Sequence, residues 1–324
     1  MNQTTIEQLN AYGKQSTPFL ALISYDCPEA DVVCPLEEAS EHGIRFKYEN
    51  ATLANQDDTK QELRYMLDIR PVDFEIYQTA FNKAQQRMAK DNVALLNLCM
   101  KTDLQTDLSL ADIYRYSKSK LVVIYDRHFV CFTPEIFVEI ENDNISTHPM
   151  KGTIGAEVPN AREVLLNDQK EHDEQVAICQ CMQQELSAVS TNVKIDKFRY
   201  FTKVTTVKGD IWQTSSQISG KLKPEYRHNF GDLFEKLLPA GSISGTPKTE
   251  AEAIIKDVEL CKRGFYSGIF VHFDGKICKS YVLIRFIGAD EKGNLHYFSG
   301  GGITNKSDAK KEYDELRKKI YLTF

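Results

Sequence analysis

PAGSISGTPKTEAEAII, residues 239–255, decides how the rest of this chain is read. Ala240, Gly241, Ser242 and Ser244 precede Gly245, and Pro247 then opens a helix. Proline suits a first helical turn, because its missing N–H would have no partner there. Glu250 and Glu252 follow near the positive end of the helix dipole. A strand end made of small residues lets a ligand approach the backbone, and the helix start behind it favours an anion. Downstream come the strand-like KRGFYSGIF (262–270), YVLIRF (281–286) and FSGGGI (298–303), then a charged helix, SDAKKEYDELRKKI (307–320).

Working outward, residues 18–25 (PFLALISY) read as an apolar strand, and residues 50–64 as polar loop with some helix. Ile76, Ala80, Phe81, Ala84 and Met88 recur at helical spacing within 73–90. Residues 93–100 form a buried strand, and 120–140 read as consecutive antiparallel strands that continue through 145–153. Residues 161–190 predict one long helix, with Val176, Ile178, Cys181 and Met182 inward. Residues 198–207 predict a strand, 214–219 part of a helix begun near Ile211, and 229–238 a helix. Clustered rather than alternating elements give an α+β class with largely antiparallel sheets. No repeat or linker divides the chain, which predicts a single domain over 1–324.

The 324 residues are 42% hydrophobic and carry a net charge of −6. Such a balance argues against non-specific nucleic-acid binding. No apolar run approaches the roughly 18 residues of a membrane span, and the polar start carries no secretory signal. Eight cysteines match no zinc or redox spacing. Reduced, buried thiols in a cytoplasmic protein are the expectation.

Two carboxylate pairs stand out. Glu171 and Glu174 share a helix face, and Glu312 and Glu315 repeat the spacing. Either pair alone reads as a solvated face. Two pairs facing one another would suit Mg²⁺, a hard ion that takes oxygen ligands and water.

The order and spacing of the motifs over 239–319 resemble the C-terminal half of the chorismate-utilising enzymes, which include anthranilate, aminodeoxychorismate, isochorismate and salicylate synthases. The likeness extends more weakly back to about residue 120 and loosely over 1–119. It implies two packed antiparallel sheets with helices outside and the site between them. It also implies that Glu171, Glu174, Glu312 and Glu315 hold Mg²⁺, which in turn holds a substrate carboxylate. Tyr266, Arg285 and Lys319 would contact carboxylate, with backbone N–H donors at Gly152, Thr153, Gly300 and Gly302 and the Ser242 hydroxyl nearby. Arg285 can clamp a carboxylate through two parallel bonds.

Lys151, in Pro149-Met150-Lys151-Gly152-Thr153, separates the branches. Aminodeoxychorismate synthases carry lysine there and anthranilate synthases alanine. The implied role is nucleophilic attack on the ring, which needs surroundings that favour the neutral amine. Glu135 matches the family's acid/base carboxylate. The water-adding branches use a lysine base on an early strand. Leu95 aligns with it and cannot activate water. The resemblance therefore implies the large subunit of aminodeoxychorismate synthase, a transferase that makes 4-amino-4-deoxychorismate for p-aminobenzoate and folate. Ammonia would come from solution or a separate glutamine amidotransferase subunit. Anthranilate synthase and a non-catalytic chorismate-binding protein are the alternatives. The second is motivated by departures from the family: Gln180, Gln183 and Gln184 with Glu185 stand where it reads Asp, Arg and Asn-Asp, and Gln213 stands where it has histidine.

Overall fold

The computed structural model describes residues 1–48, 64–133, 135–206 and 209–324. In chain order the elements are α1 (Gln3–Gln15), β1 (Phe19–Ile23), β2 (Val32–Pro35), β3 (Ile44–Tyr48), β4 (Leu67–Arg70), α2 (Phe74–Asp91), β5 (Leu95–Thr106), α3 (Leu110–Tyr116), β6 (Leu121–Tyr125), β7 (Phe129–Cys131), β8 (Ile136–Glu141), β9 (Asn144–Thr147) and β10 (Met150–Gly155). There follow α4 (Ala161–Asn167), α5 (Gln169–Val189), β11 (Ser190–Thr206), β12 (Gly209–Leu222), α6 (Phe230–Leu237), β13 (Gly245–Thr246), α7 (Lys248–Val258), β14 (Ile269–Phe273), β15 (Cys278–Val282), β16 (Phe286–Ala289), β17 (Leu295–Ile303) and α8 (Ala309–Lys318).

Among the described residues these strands form two sheets. The first runs β10-β12-β9-β8-β15-β14-β1-β2, with β11 also on β12. The second runs β13-β5-β17-β16-β7-β6-β3, with β4 also on β5. Side chains alternate between the two faces of a strand, and β1 is apolar on both. Leu20 and Leu22 face inward with Leu121, Val123, Phe129, Phe270 and Phe286 between the sheets. Phe19, Ala21 and Ile23 face outward onto Leu9 of α1 and Phe230, Leu233 and Phe234 of α6. On the second sheet's outer face Leu98 packs with Tyr77 and Phe81 of α2, Ile254 of α7 and Tyr313 of α8. The fold is thus two packed antiparallel sheets with helices outside, as expected.

Several local readings are corrected. Residues 214–219 are not helical; they lie in β12, which pairs with β11 from Ser190↔Leu222 to Thr206↔Gly209. Gln213, Thr214, Ser215 and Ser216 are all buried, so a strand covered on both faces carried polar residues and hid its period. Residues 262–268 are turn rather than strand, and only Ile269–Phe273 is extended. The run 281–286 changes sheet: β15 ends in the first and β16 begins in the second. The same holds for 120–140, where β6 and β7 pair in the second sheet and β8 belongs to the first. The long helix of 161–190 breaks at Asp168, which ends α4 and caps α5 by accepting from the Glu171 N–H. The reading of 50–64 falls, except for Arg64, outside the described residues. No helix among the described residues is long and apolar enough to cross a membrane, and all eight cysteines are free thiols.

Candidate active site

The two sheets meet where β10, at the edge of the first, approaches the ends of β5 and β17 in the second. Lys151 projects from β10, and the strand bulges between Lys151 and Thr153. Gly152 forms the bulge at φ +79°, a conformation side-chain-bearing residues rarely adopt. The Thr214 hydroxyl fixes the turn by donating to the Lys151 carbonyl. The Lys151 Nζ then reaches across to β17. A Cβ at Gly302 would stand 3.4 Å from that Nζ and 3.1 Å from Leu95 Cδ1. Lysine and leucine therefore face one point, and Gly302 leaves room for both.

Glu135 is buried beside this point, and its carboxylate accepts from the Ser242 hydroxyl at 2.9 Å. Burial pushes its carboxyl upward; Ser242 and the charges of Lys151, Arg285 and Lys319 pull the other way. Four predicted residues thus surround a fifth.

Ser242 reaches Glu135 because its loop is gripped from below. The Ile243 carbonyl accepts from Arg263 Nη1 at 2.8 Å and Asn97 Nδ2 at 3.1 Å. Arg263 is itself a buried two-bond partner of Glu259, at 2.6 and 2.9 Å. Sequence reasoning missed this pair. The signal was present in the i,i+4 spacing of Glu259 and Arg263 ahead of Gly264.

Arg285 stands on the crossing between the sheets at φ 55°, strain of the kind that collects at functional positions. Its Nε donates to the Tyr321 hydroxyl at 2.8 Å. Burial opposes its charge, but the surrounding tyrosine oxygens hold the guanidinium ionised. Tyr321 was a second residue the sequence reading passed over. Lys319 donates from Nζ to the Gly300 carbonyl at 2.9 Å and pairs with Glu315 at 2.9 Å.

Tyr266 is more enclosed than expected. It is buried, stacked on Phe298 at 5.3 Å between ring centres, and its hydroxyl accepts from the Cys99 thiol at 3.7 Å. Cys99 in turn lies under Gly300, so the hydroxyl sits behind the glycine strand. Thr153 lies past the bulge, opposite Gln213.

The carboxylate pairs are brought into one region. Glu171 lies on the bulge, its Oε2 3.0 Å from where a Gly152 side chain would start. Glu312 and Glu315 stand over Gly301 at 3.7 and 4.0 Å from the corresponding point. Burial and then the Glu174 charge push Glu171 up; burial, with Glu315 and Glu174 behind it, does the same to Glu312. Burial also works against the Glu315 charge, but Lys319 outweighs it and holds that carboxyl low. Among the described residues no three acidic, histidine or cysteine side chains are close enough together to hold one ion. Lys170 stands amid the cluster instead, its charge reinforced by Glu174, Glu312, Glu315 and Glu171 against burial. The donor set fits a hard cation that keeps some water; the geometry leaves the carboxylates apart.

Of the departures from the family pattern, Gln180, Gln183 and Gln184 line a surface groove with Ser187 and Val193. The charges lost at Gln180 and Gln183 therefore fall outside the site. Gln213 is buried on β12 beside β10. A recess of about 1050 Å³ at the far ends of β5 and β17, lined by Leu104, Asp126, Arg127 and Asp290 among others, includes none of the predicted residues.

With this geometry in view, the comparisons with known proteins agree. Residues 15–323 match the sequence profile of the chorismate binding enzymes, and the chain belongs to that family. It is 43% identical to a Haemophilus influenzae protein described as PabA-like, over 99% of this chain and 96% of that one. It is 30% identical to aminodeoxychorismate synthase component 1 of Salmonella typhimurium, over 62% of this chain and 45% of that protein. The crystal structure of a Bacillus anthracis protein described as a 2,3-dihydroxybenzoate-specific isochorismate synthase superposes with a TM-score of 0.71, covering 98% of this chain and 87% of that one at 16% identity. That last likeness concerns the fold alone.

Proposed function

We propose that this chain aminates chorismate at ring carbon 4, as the large subunit of an aminodeoxychorismate synthase. The observation that carries the reading is the meeting of Lys151 and Leu95 over Gly302, beside Glu135. A lysine amine stands near enough to a buried acid for its charge to act on the carboxyl, and the position of the water-activating base is apolar. The Salmonella typhimurium relative supports the same branch.

The neutral Lys151 amine attacks carbon 2, the ring double bonds shift, and the hydroxyl at carbon 4 departs. Glu135, its carboxyl raised by burial, supplies the proton that lets it leave as water. Ammonia then adds at carbon 4, the double bonds shift back, and carbon 2 releases lysine. Glu135, now a carboxylate, takes the proton that the ammonia nitrogen sheds. Arg285 and Lys319 hold substrate carboxylate, aided by N–H groups of the Gly152 bulge and the glycine strand. Mg²⁺ held by Glu171, Glu174, Glu312 and Glu315 would neutralise a substrate carboxylate. Ammonia arrives from solution or from a separate glutamine amidotransferase subunit, and the product serves p-aminobenzoate and folate synthesis.

The test is turnover of chorismate with Mg²⁺ and ammonium, the product being identified by mass and ultraviolet spectrum. 4-Amino-4-deoxychorismate without pyruvate is expected. Anthranilate with pyruvate, or no turnover at all, overturns the reading.

A further inference from the structure

We infer that Glu185 is a positioning residue for the Ser242–Glu135 pair, acting through the backbone of the loop that carries Ser242. The inference rests on the reading of Glu135 as the acid/base group.

Glu185 lies on α5, its side chain 17% exposed, and points at the loop rather than at solvent. Its carboxylate accepts the Gly241 N–H. A side chain at 241 would collide with that carboxylate, so glycine permits the approach. Lys248, from the first turn of α7, stands 3.8 Å away and also donates to the Leu237 carbonyl at 2.7 Å. Carboxylate and ammonium together thus hold both ends of residues 237–241. Cys181 lies one turn back on the same helix, its sulfur 3.2 Å from the Thr246 hydroxyl oxygen.

The next residue is Ser242, whose hydroxyl donates to Glu135 at 2.9 Å. Arg263 and Asn97 secure the far flank at Ile243; Glu185 secures the near one. A hydrogen bond to an ionised acceptor is about twice as strong as a neutral one. Releasing Gly241 lets the hydroxyl drift from the acid, and a displacement of about 1 Å can cost on the order of 100-fold in rate. Burial, opposed by Lys248 and the Gly241 N–H, pushes the Glu185 carboxyl up to about 7. The grip therefore tightens as this group ionises near neutrality.

The experiment compares Glu185→Ala and Glu185→Gln with wild type in three readouts. Hydrogen exchange over residues 240–244 reads the loop in the resting protein. The infrared band of the protonated Glu135 carboxyl, assigned by its loss in Glu135→Gln, reads the Ser242 hydrogen bond. The split between kcat and KM for chorismate reads the consequence. In Glu185→Ala, exchange should rise about tenfold or more, the band should move, and kcat should fall about 10- to 100-fold with KM nearly unchanged. Glu185→Gln keeps an acceptor for Gly241, so loop and band should return towards wild type. Its kcat should lose the inflection near pH 7. Unchanged exchange or an unmoved band in Glu185→Ala overturns the inference, and so does a loosened loop with unchanged kcat. If wild type does not turn over chorismate, the functional reading fails, while exchange and band still decide whether Glu185 holds the pair.

Discussion

Glu135 sits where a hydroxyl and three cationic side chains converge on it, whereas Glu312 faces the like charges of Glu315 and Glu174, and a hydrogen bond from Ser307 and the single charge of Lys170 oppose them without overcoming burial. In the first region the supporting contacts are complete: Ser242 at 2.9 Å, the Ile243 carbonyl doubly bonded, Lys151 brought across by the bulge. In the second, like charges share a neighbourhood without forming an ion cage among the described residues. The acid–nucleophile half is preorganised by hydrogen bonds. The carboxylate half stores repulsion that metal and substrate would relieve together.

The sharpest break of this contrast removes the nucleophile. Lys151→Ala should leave no covalent chorismate adduct at residue 151 when ammonia is withheld. It should also lower kcat/KM about 1000-fold or more, about 4 kcal/mol of transition-state stabilisation. Intact mass and peptide mapping read the adduct, and steady-state kinetics reads the rate. Loss of the adduct with an unchanged rate would reduce the lysine to a bystander.

A second prediction concerns the cost of burying acids. Glu185 has a folded value near 7 against an ordinary 4.5. The folded chain therefore holds its proton over a window where the unfolded chain has lost it. Stability from this group is complete below about pH 4.5 and is lost as pH rises towards 7, by about 3 kcal/mol. Burial drives Glu135, Glu171 and Glu312 in the same direction, while Glu315, held low, opposes them. Denaturant titrations of the metal-free protein should give a smaller unfolding free energy at pH 7.5 than at pH 5. Glu185→Gln should flatten the profile, and an unaltered slope in that variant would remove Glu185 as its source.

What could be read beforehand divides along physical lines. β1 was legible as a short continuous apolar run, buried on both faces over Phe19–Ile23, and α2 by the helical spacing of Ala80, Phe81, Ala84 and Met88; Ile76, read with them, is 45% exposed, and Tyr77 takes the inward place. β12 was not, because Thr214, Ser215 and Ser216 are buried polar residues whose partners are distant in sequence, such as Gln175 on Ser216 at 2.9 Å. The sheet exchange at 283–285 is marked in the sequence only by Arg285 within an apolar run, which reads equally well as one edge strand with a snorkelling arginine. In the site, Lys151, Glu135 and Ser242 were named from the motifs, and the structure brings them together. The layer beneath them was invisible. Arg263, Glu259, Asn97 and Glu185 act through backbone carbonyls and N–H groups, and a sequence does not say which carbonyl a guanidinium will meet.

The smallest effect is expected at Glu312, and it carries the contrast furthest because its sign reverses with metal. Glu312 is buried over Gly301 with Glu315 beside it and Glu174 behind. Glu312→Gln keeps the size and an acceptor oxygen but removes one negative charge. Without metal the change relieves repulsion and should stabilise the fold slightly, by about 0.5 kcal/mol, the scale of one like-charge contact. With Mg²⁺ a ligand is gone, and affinity should fall about tenfold or more, about 1.4 kcal/mol. Thermal melts with and without Mg²⁺ read both signs without reference to catalysis: wild type should gain Tm with metal, while the variant should start higher and gain less. Calorimetric titration then gives the affinity directly. A variant that melts lower without metal and binds Mg²⁺ as wild type does would mean that Glu312 serves the packing of α8 on the glycine strand. The stored repulsion would then have to lie between Glu171 and Glu174 alone.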